Sequence, residues 1–429
     1  MGPGSVMENS SRVQPITTRS SSKISILFLF ILIPFISPAY VFSEELEQLE
    51  KIVPDSIDGA IEQRDGLAYD SRRRSLFPDF YYKLREKRYD WYQKHGFELS
   101  VAYDALVQGY NDRDRSVGGA SGDLSLHGRW LLFGEKFNRP TYLFFRFRDR
   151  RAYSEYAPSE IQRETDLLWG TVHGFNNSGF QVPDFYFEHQ LFDGDLALRY
   201  GQFSIRKFVD THSLRGAKRF FLNEAFSDNP TVNFPSFGAG FSAKWRPVKR
   251  WEIAGGASNI QGVEGEHYVD FSLDSKALFG AMQVAYNFKG IGQRDGRIQI
   301  MGWGSEDNDE KKYAEGNGVS LTFQHGGLAK SEIYALRYAQ SSGDSTNTDI
   351  IMFLGYSKEI RGFDNFGLGV GTGRSSSEAG WQTVFETFYR WQITKELLIT
   401  PDVQLILGDD LSGNSKTRIV AGIRAGVIF

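Results

Sequence analysis

The sequence contains no cysteine, which excludes disulfides and thiolate metal sites. Its seven histidines are scattered, and none makes a close pair with the spacing of metal ligands. Beyond the N-terminus no segment is long and apolar enough for a spanning helix, so a helical inner-membrane protein is excluded. A net charge of -4 gives no case for nucleic acid as a partner. No catalytic constellation emerges either. Gly367-Leu-Gly-Val-Gly-Thr-Gly373 lies in a strand pattern with no helix after it, so it is not a nucleotide loop. Ser375-Ser-Ser reads as loop polarity, not as a nucleophile. The expectation is a protein that is not an enzyme and takes no cofactor or metal.

What the chain does contain is alternation. Aromatic residues make up 15% of it and there are 45 glycines, while mean hydropathy is only -0.37. Side chains on a strand point to opposite faces with period two. In Asp195–Phe203, Leu196, Leu198 and Tyr200 share one face, and Ala197, Arg199 and Gly201 the other. After Phe237, Ala239, Phe241, Ala243 and Trp245 alternate with Gly240, Ser242, Lys244 and Arg246. The polar face carries whole charges and the apolar face often ends in Trp, Tyr or Phe. A soluble sandwich also alternates, but its apolar faces need a partner sheet. The combination fits a transmembrane antiparallel β-barrel, apolar towards lipid and polar towards a wet lumen.

Arg19 and Lys23 precede an apolar run, Ile24–Ile36, followed by Pro38 and small residues to Ser43. This reads as a secretory signal over 1–43, cleaved before Glu44. Residues 1–6, before Met7, read as an expression scar or an upstream start. Residues 44–95 form a periplasmic leader whose helix, 78–95, has Pro78 at its start and Gly96 just past its end. From 96 to 429 about sixteen strands follow. They are expected at 97–107, 123–134, 141–151, 183–192, 194–203, 237–246, 250–259 and 278–288. The second half comprises 296–304, 317–325, 331–341, 348–358, 365–373, 381–392, 396–407 and 417–429. Turns on one side are brief and would face the periplasm. The other side carries long loops, 152–182 and 204–236, expected to fold into the barrel. Thr165–His173, which could pass for a strand, belongs to the first loop. The final strand ends on Phe429 with no tail, as in outer-membrane barrels handled by the assembly machinery, and lipid is the other expected contact.

Alternation turns Arg146, Arg148 and Arg150 inward from one strand, Tyr186, Glu188 and Gln190 from the next, and Arg199 from a third. Such rows tune pore selectivity or brace the wall by neutralising one another. The loop after Phe203 offers Arg206, Lys207, His212, Arg215, Lys218 and Arg219, then Phe220-Phe221. The earlier loop offers Tyr153, Tyr156 and Trp169. Aromatic faces stack on sugar rings while Arg, Glu, Asn and Gln bond hydroxyls. The pore-constriction candidates are therefore Arg199, Glu188, Arg146, Arg148, Trp169 and Arg206.

The central stretch resembles the carbohydrate-selective porins of the OprB family. The likeness is carried by Leu198-Arg-Tyr-Gly-Gln-Phe203, Asp210-Thr and Phe220-Phe-Leu-Asn-Glu-Ala-Phe-Ser-Asp-Asn-Pro230. It continues in Phe234-Pro-Ser-Phe-Gly-Ala-Gly240, Trp245-Arg-Pro, Trp251, Glu386–Thr394 and Thr400–Leu405. That resemblance implies a roughly sixteen-stranded outer-membrane barrel of a Gram-negative bacterium, with infolded loops, passive sugar uptake, and Arg and Glu at the constriction. Arg199 and Glu188 match by motif, whereas Arg146 and Arg148 rest on alternation. Two other readings stand beside it: a structural or adhesive barrel sealed by its loops, and an anion-selective porin. The oligomeric state is open.

Overall fold

The computed structural model describes residues 74–134, 139–260, 269–271, 277–291, 294–307, 314–326, 332–361, 364–376 and 380–428. The expected signal segment, leader residues 44–73 and Phe429 lie outside the described residues. Among the described residues, helix α1, Pro78–His95, comes first. Gly96 ends it with φ 65°, and its N–H donates to the Tyr92 carbonyl. A left-handed residue there satisfies an orphan carbonyl at the helix end, which favours glycine.

Sixteen strands follow. They are β1 Phe97–Asn111, β2 Ser116–Phe133, β3 Thr141–Ala152, β4 Gly179–Leu191, β5 Leu196–Phe203, β6 Gly238–Val248, β7 Trp251–Asn259 and β8 Leu278–Lys289. The rest are β9 Asp295–Ser305, β10 Gly316–Gly326, β11 Glu332–Gly343, β12 Thr348–Ile360, β13 Asp364–Ser375, β14 Trp381–Gln392, β15 Leu397–Asp409 and β16 Ser415–Ile428. Each pairs antiparallel with its sequence neighbours, and β1 pairs with β16 from Ala102↔Ile428 to Asn111↔Ile419. The sheet is thus a closed barrel with no exposed edge.

The faces sort as alternation requires. On β11, Ala335, Arg337 and Ala339 are buried while Tyr334, Leu336 and Tyr338 are exposed. On β1, Ala102, Asp104 and Gln108 point inward, and Val101, Tyr103 and Val107 outward. An apolar exterior and a polar interior are what a lipid-embedded barrel needs.

Two strand starts differ from expectation. β2 begins at Ser116, not 123, and β4 at Gly179, not 183. The expected excursion between the first two strands is a tight turn, where Asp112 Oδ1 accepts the N–H groups of Asp114 and Arg115, each at 2.7 Å. Gly118-Gly119-Ala120 carries no apolar signal because the first long loop crosses there. A Cβ on Gly119 would lie 2.8 Å from the Pro158 nitrogen. Thr165–His173 is not a strand: the short helix α2, Ile161–Thr165, ends at Asp166 with φ 53°.

Both long loops lie against the inner wall. In the loop after β5, the Asp210 N–H donates to Gln283 Oε1 of β8 at 2.7 Å, and the Ser213 N–H to Gln324 Oε1 of β10 at 2.7 Å. Glu386 of β14 accepts from the Leu222 and Asn223 N–H groups at 2.5 and 3.0 Å. Asn223, which caps the one-turn helix α3, Glu224–Ser227, also donates to Gln404 of β15 at 2.9 Å. The loop after β3 is held by Thr171 donating to Gln108 of β1 at 2.7 Å and by Gln404 donating to the Thr171 carbonyl at 2.9 Å.

The main apolar core forms where loop meets wall. Leu167, Trp169, Leu214, Phe221 and Phe226 pack with Phe353, Val384 and Phe388. The glycine run of β13 makes room for them. A Cβ on Gly369 would sit 2.8 Å from the Phe226 ring, and one on Gly373 would sit 2.8 Å from the Trp169 ring. The glycines read earlier as strand are therefore a smooth bed for loop aromatics.

Candidate functional site

The wall row of β3, β4 and β5 comes first. Arg146 Nε lies 2.8 Å from Asp184 Oδ2, and Lys207 of the second loop pairs with the same oxygen. Arg148 Nη2 donates to Gln181 Oε1 at 2.6 Å. Arg199 Nε donates to Glu188 Oε2 at 2.6 Å, joining strands at the register pair Glu188↔Arg199. The expected inward rows are thus assembled, but they are covered. Arg199 is 2% exposed, with its guanidinium 4.4 Å from the centre of the Phe208 ring. Arg148 lies 5.0 Å from the Phe237 ring centre. The loop's first residues, Ser204–Val209, are laid over the row.

The alternation that exposed this row ends at Gly201. With φ 136° it approaches β4 so closely that a Cβ would lie 2.5 Å from the Phe185 carbonyl oxygen. Past it, Gln202 and Phe203 are both buried as the chain enters the loop.

A second cluster keeps an open side. It lies where the two loops meet. Arg206 Nη1 donates to Asp228 Oδ2 at 2.5 Å and approaches His173 Nδ1 at 3.4 Å. Arg215 Nη2 donates to Asp228 Oδ1 at 3.1 Å. His173 Nδ1 lies 3.3 Å from Asp228 and 3.5 Å from Glu224, whose other oxygen accepts the Gly170 N–H at 2.8 Å. The side chains of His173, Glu224 and Arg206 are 28%, 27% and 21% exposed, unlike the wall row. Burial alone would raise the Asp228 carboxyl, but Arg206, His173 and Arg215 hold it well below the usual carboxylate range. Burial, partly offset by Asp228, lowers the Arg215 guanidinium to about 10. Beside this cluster, Arg150 bonds Asp123 at 2.6 Å, and Lys218 reaches Asp123 at 2.9 Å and Asp104 at 3.2 Å.

Of the six sequence candidates, Arg206 alone falls in this open-sided cluster. Arg146, Arg148, Arg199 and Glu188 form the covered wall row. Trp169 is 1% exposed and wedged against β13, so its ring is not offered for stacking. Tyr153 does not line the lumen: its hydroxyl lies 2.5 Å from that of outward-facing Tyr103. His173, Glu224 and Asp228 carried no role in the sequence. Loop residues have no period to expose them, although Glu224 and Asp228 lie within the Phe220–Pro230 motif.

A family model described as "Carbohydrate-selective porin, OprB family" matches residues 157–349 and 350–429. No curated protein matches. The high-pH structure of Pseudomonas putida OprB is similar at 13% identity and a TM-score of 0.67, covering 84% of this chain and 100% of that one. The low-pH structure of the same protein gives 15% identity and a TM-score of 0.52, covering 83% and 99%. An anion-selective porin from Comamonas acidovorans gives 12% identity and a TM-score of 0.47, covering 78% and 99%.

Proposed function

This chain belongs to the carbohydrate-selective porins of the OprB family, and on that premise we propose that its solutes pass the junction of the two infolded loops. It is a porin of the Gram-negative outer membrane, through which saccharides diffuse passively, and a channel in place of an enzyme. At the junction Arg206, His173 and Glu224 present donors and acceptors with an open side, while Asp228 and Arg215 hold them in place. A guanidinium fork and a carboxylate can bond neighbouring sugar hydroxyls together. The observation that carries this reading is the contrast in exposure between the junction and the wall row.

Arg146, Arg148, Arg199 and Glu188 act from behind, by seating the loop start against β3, β4 and β5. Single-channel current with sugar titration tests the assignment. Arg206→Ala should weaken sugar block by about tenfold or less, since one hydrogen bond from a part-exposed group contributes roughly 0.5–1.5 kcal/mol net. Glu224→Gln should weaken it less. Unchanged block in both variants, with conductance intact, would remove the junction from the transit path. Absence of any current would favour a sealed barrel, and a strong preference for anions without sugar block would favour an anion pore.

The wider reading includes residues 1–43 as a secretory signal, 44–95 as a periplasmic leader, and recognition of the last strand by the assembly machinery through Phe429. Deleting Phe429 should lower accumulation in the outer membrane; normal yield and heat-modifiability would end that claim. Mass photometry of the detergent-extracted barrel would fix its oligomeric state.

A further inference from the structure

Helix α1 begins on the turn between β14 and β15. The Leu76 N–H donates to Glu396 Oε2 at 3.1 Å, and the Lys395 N–H donates to the Arg74 carbonyl at 3.3 Å. It ends where β1 starts, so it lies at the rim that carries the short turns, the periplasmic end in barrels of this kind. Its two sides differ. Tyr92 faces the lumen side, beneath the guanidinium of inward-pointing Arg129 at 5.6 Å from the ring centre. Trp91 faces the other way, its ring centre 6.0 Å from that of Phe97. Phe97 lies on the lipid face of β1, 6.4 Å from Trp130 and 6.0 Å from Phe145, both also outward.

Helical spacing puts Phe77, Phe80, Leu84 and Trp91 on one stripe. Phe77, Phe80 and Trp91 are 61%, 55% and 55% exposed. The helix carries Lys83, Arg85, Lys87, Arg88 and Lys94 against Asp79, Glu86 and Asp90. A basic helix with an aromatic stripe suits the headgroup boundary of a membrane with anionic lipid.

We infer that α1 is an interfacial helix, its Phe77–Trp91 stripe seated among the phospholipid headgroups of the periplasmic leaflet. The apolar band of the barrel continues through Phe97 into Trp91 with no polar gap. The partner is therefore the lipid surface that the barrel already touches.

The cysteine-free chain makes the test direct. Lys87→Cys and Glu86→Cys place a label one residue apart but about 100° around the helix. Lys87 borders the stripe and Glu86 faces away from it, and neither substitution removes an aromatic contact. Each full-length variant carries an environment-sensitive fluorophore in vesicles of phosphatidylethanolamine doped with phosphatidylglycerol. Lipid carrying a nitroxide near its headgroup should remove most of the emission at position 87 and little at 86, and a water-soluble quencher should show the reverse order. Equal quenching at both positions, by either agent, would overturn the inference, as it would if α1 lay across the pore mouth. A label at Phe77→Cys repeats the measurement on the stripe itself, and an aqueous signal there also overturns it.

Discussion

Asp210 ties the second loop to the barrel wall, and replacing it with Asn tests how that loop is held. Its carboxylate accepts from Asn229 Nδ2 at 2.8 Å and Ser320 Oγ at 2.8 Å, and pairs with Arg337 Nη2 at 3.1 Å. Both charged side chains are about 1% exposed. Asp210 has φ 55°, a conformation that Asn tolerates, so Asp210→Asn removes charge without straining the backbone. The Arg337 guanidinium would stay buried without its counter-charge. Breaking such a pair costs about 3–5 kcal/mol. The low end applies, because Arg337 keeps the carbonyls of Asp228 and Asp210 at 2.7 and 3.0 Å and Thr322 Oγ1 at 3.3 Å. The sheet ladder is untouched, so the cost should appear as loop release. About 3 kcal/mol corresponds to roughly a hundredfold more of the detached state. Hydrogen exchange of amides 205–236 should quicken by about that factor, with noisier single-channel current. The double variant Asp210→Asn/Arg337→Met should recover much of the protection. Unchanged exchange in Asp210→Asn, or no recovery in the double variant, would refute the anchoring argument.

The wall row should behave as a brace. Arg199→Ala strands Glu188 beneath Phe208, so it should lower the thermal midpoint in detergent, by roughly 3 kcal/mol of stability, while altering sugar block less than Arg206→Ala does. Gly369→Val would drive a side chain into the Phe226 and Phe221 rings, whose atoms lie 2.8 and 3.0 Å from the site of a Cβ; proteolysis on intact cells should then cut the loop faster than in the parent. The lowered Asp228 carboxyl gives a pH dependence. Its stabilising contribution is fully present above the unfolded value of about 4 and is lost as pH falls through the folded value, which lies below it. Exchange protection of the Asp228 segment should therefore hold from pH 7 to about pH 4, and Asp228→Asn should reduce it across that range.

The barrel was legible because period two writes itself along every strand. Sixteen alternating runs can be counted, and Arg146, Arg148, Glu188 and Arg199 can be turned inward, from the sequence alone. Alternation cannot say what lies on top of an inward residue. Arg199 is turned inward by its period, and only the structure shows Phe208 lying over it. The loops hid for the opposite reason: His173, Glu224 and Asp228 are brought together by wall contacts made far along the chain. Trp169 is ambiguous in the sequence because aromatic residues in a polar loop suit both a sugar platform and a wedge, and the glycine bed on β13 against which it is buried carries no label there. The start of β2 was lost because its small residues yield to the crossing loop.

The loop after β5 also bears on how the chain is made. The anchors of its second half come late in the sequence: Glu386 holds Leu222, Gln404 holds Asn223, and Arg424 reaches the Phe220 carbonyl at 3.2 Å across 204 positions. Contacts so distant in sequence form slowly, because loop-closure entropy is lost before they reward it. Until β12–β14 arrive, Phe220, Phe221 and Phe226 have no wall to rest on. A chain halted before β12 would carry that aromatic cluster uncovered through the periplasm, and would depend on holdase chaperones for longer than a barrel with short loops. The first half of the loop can meet β8, β10 and β11 through Asp210 and Ser213 early, whereas the half that begins at Phe220 is furnished with its last partners only as β14–β16 are placed.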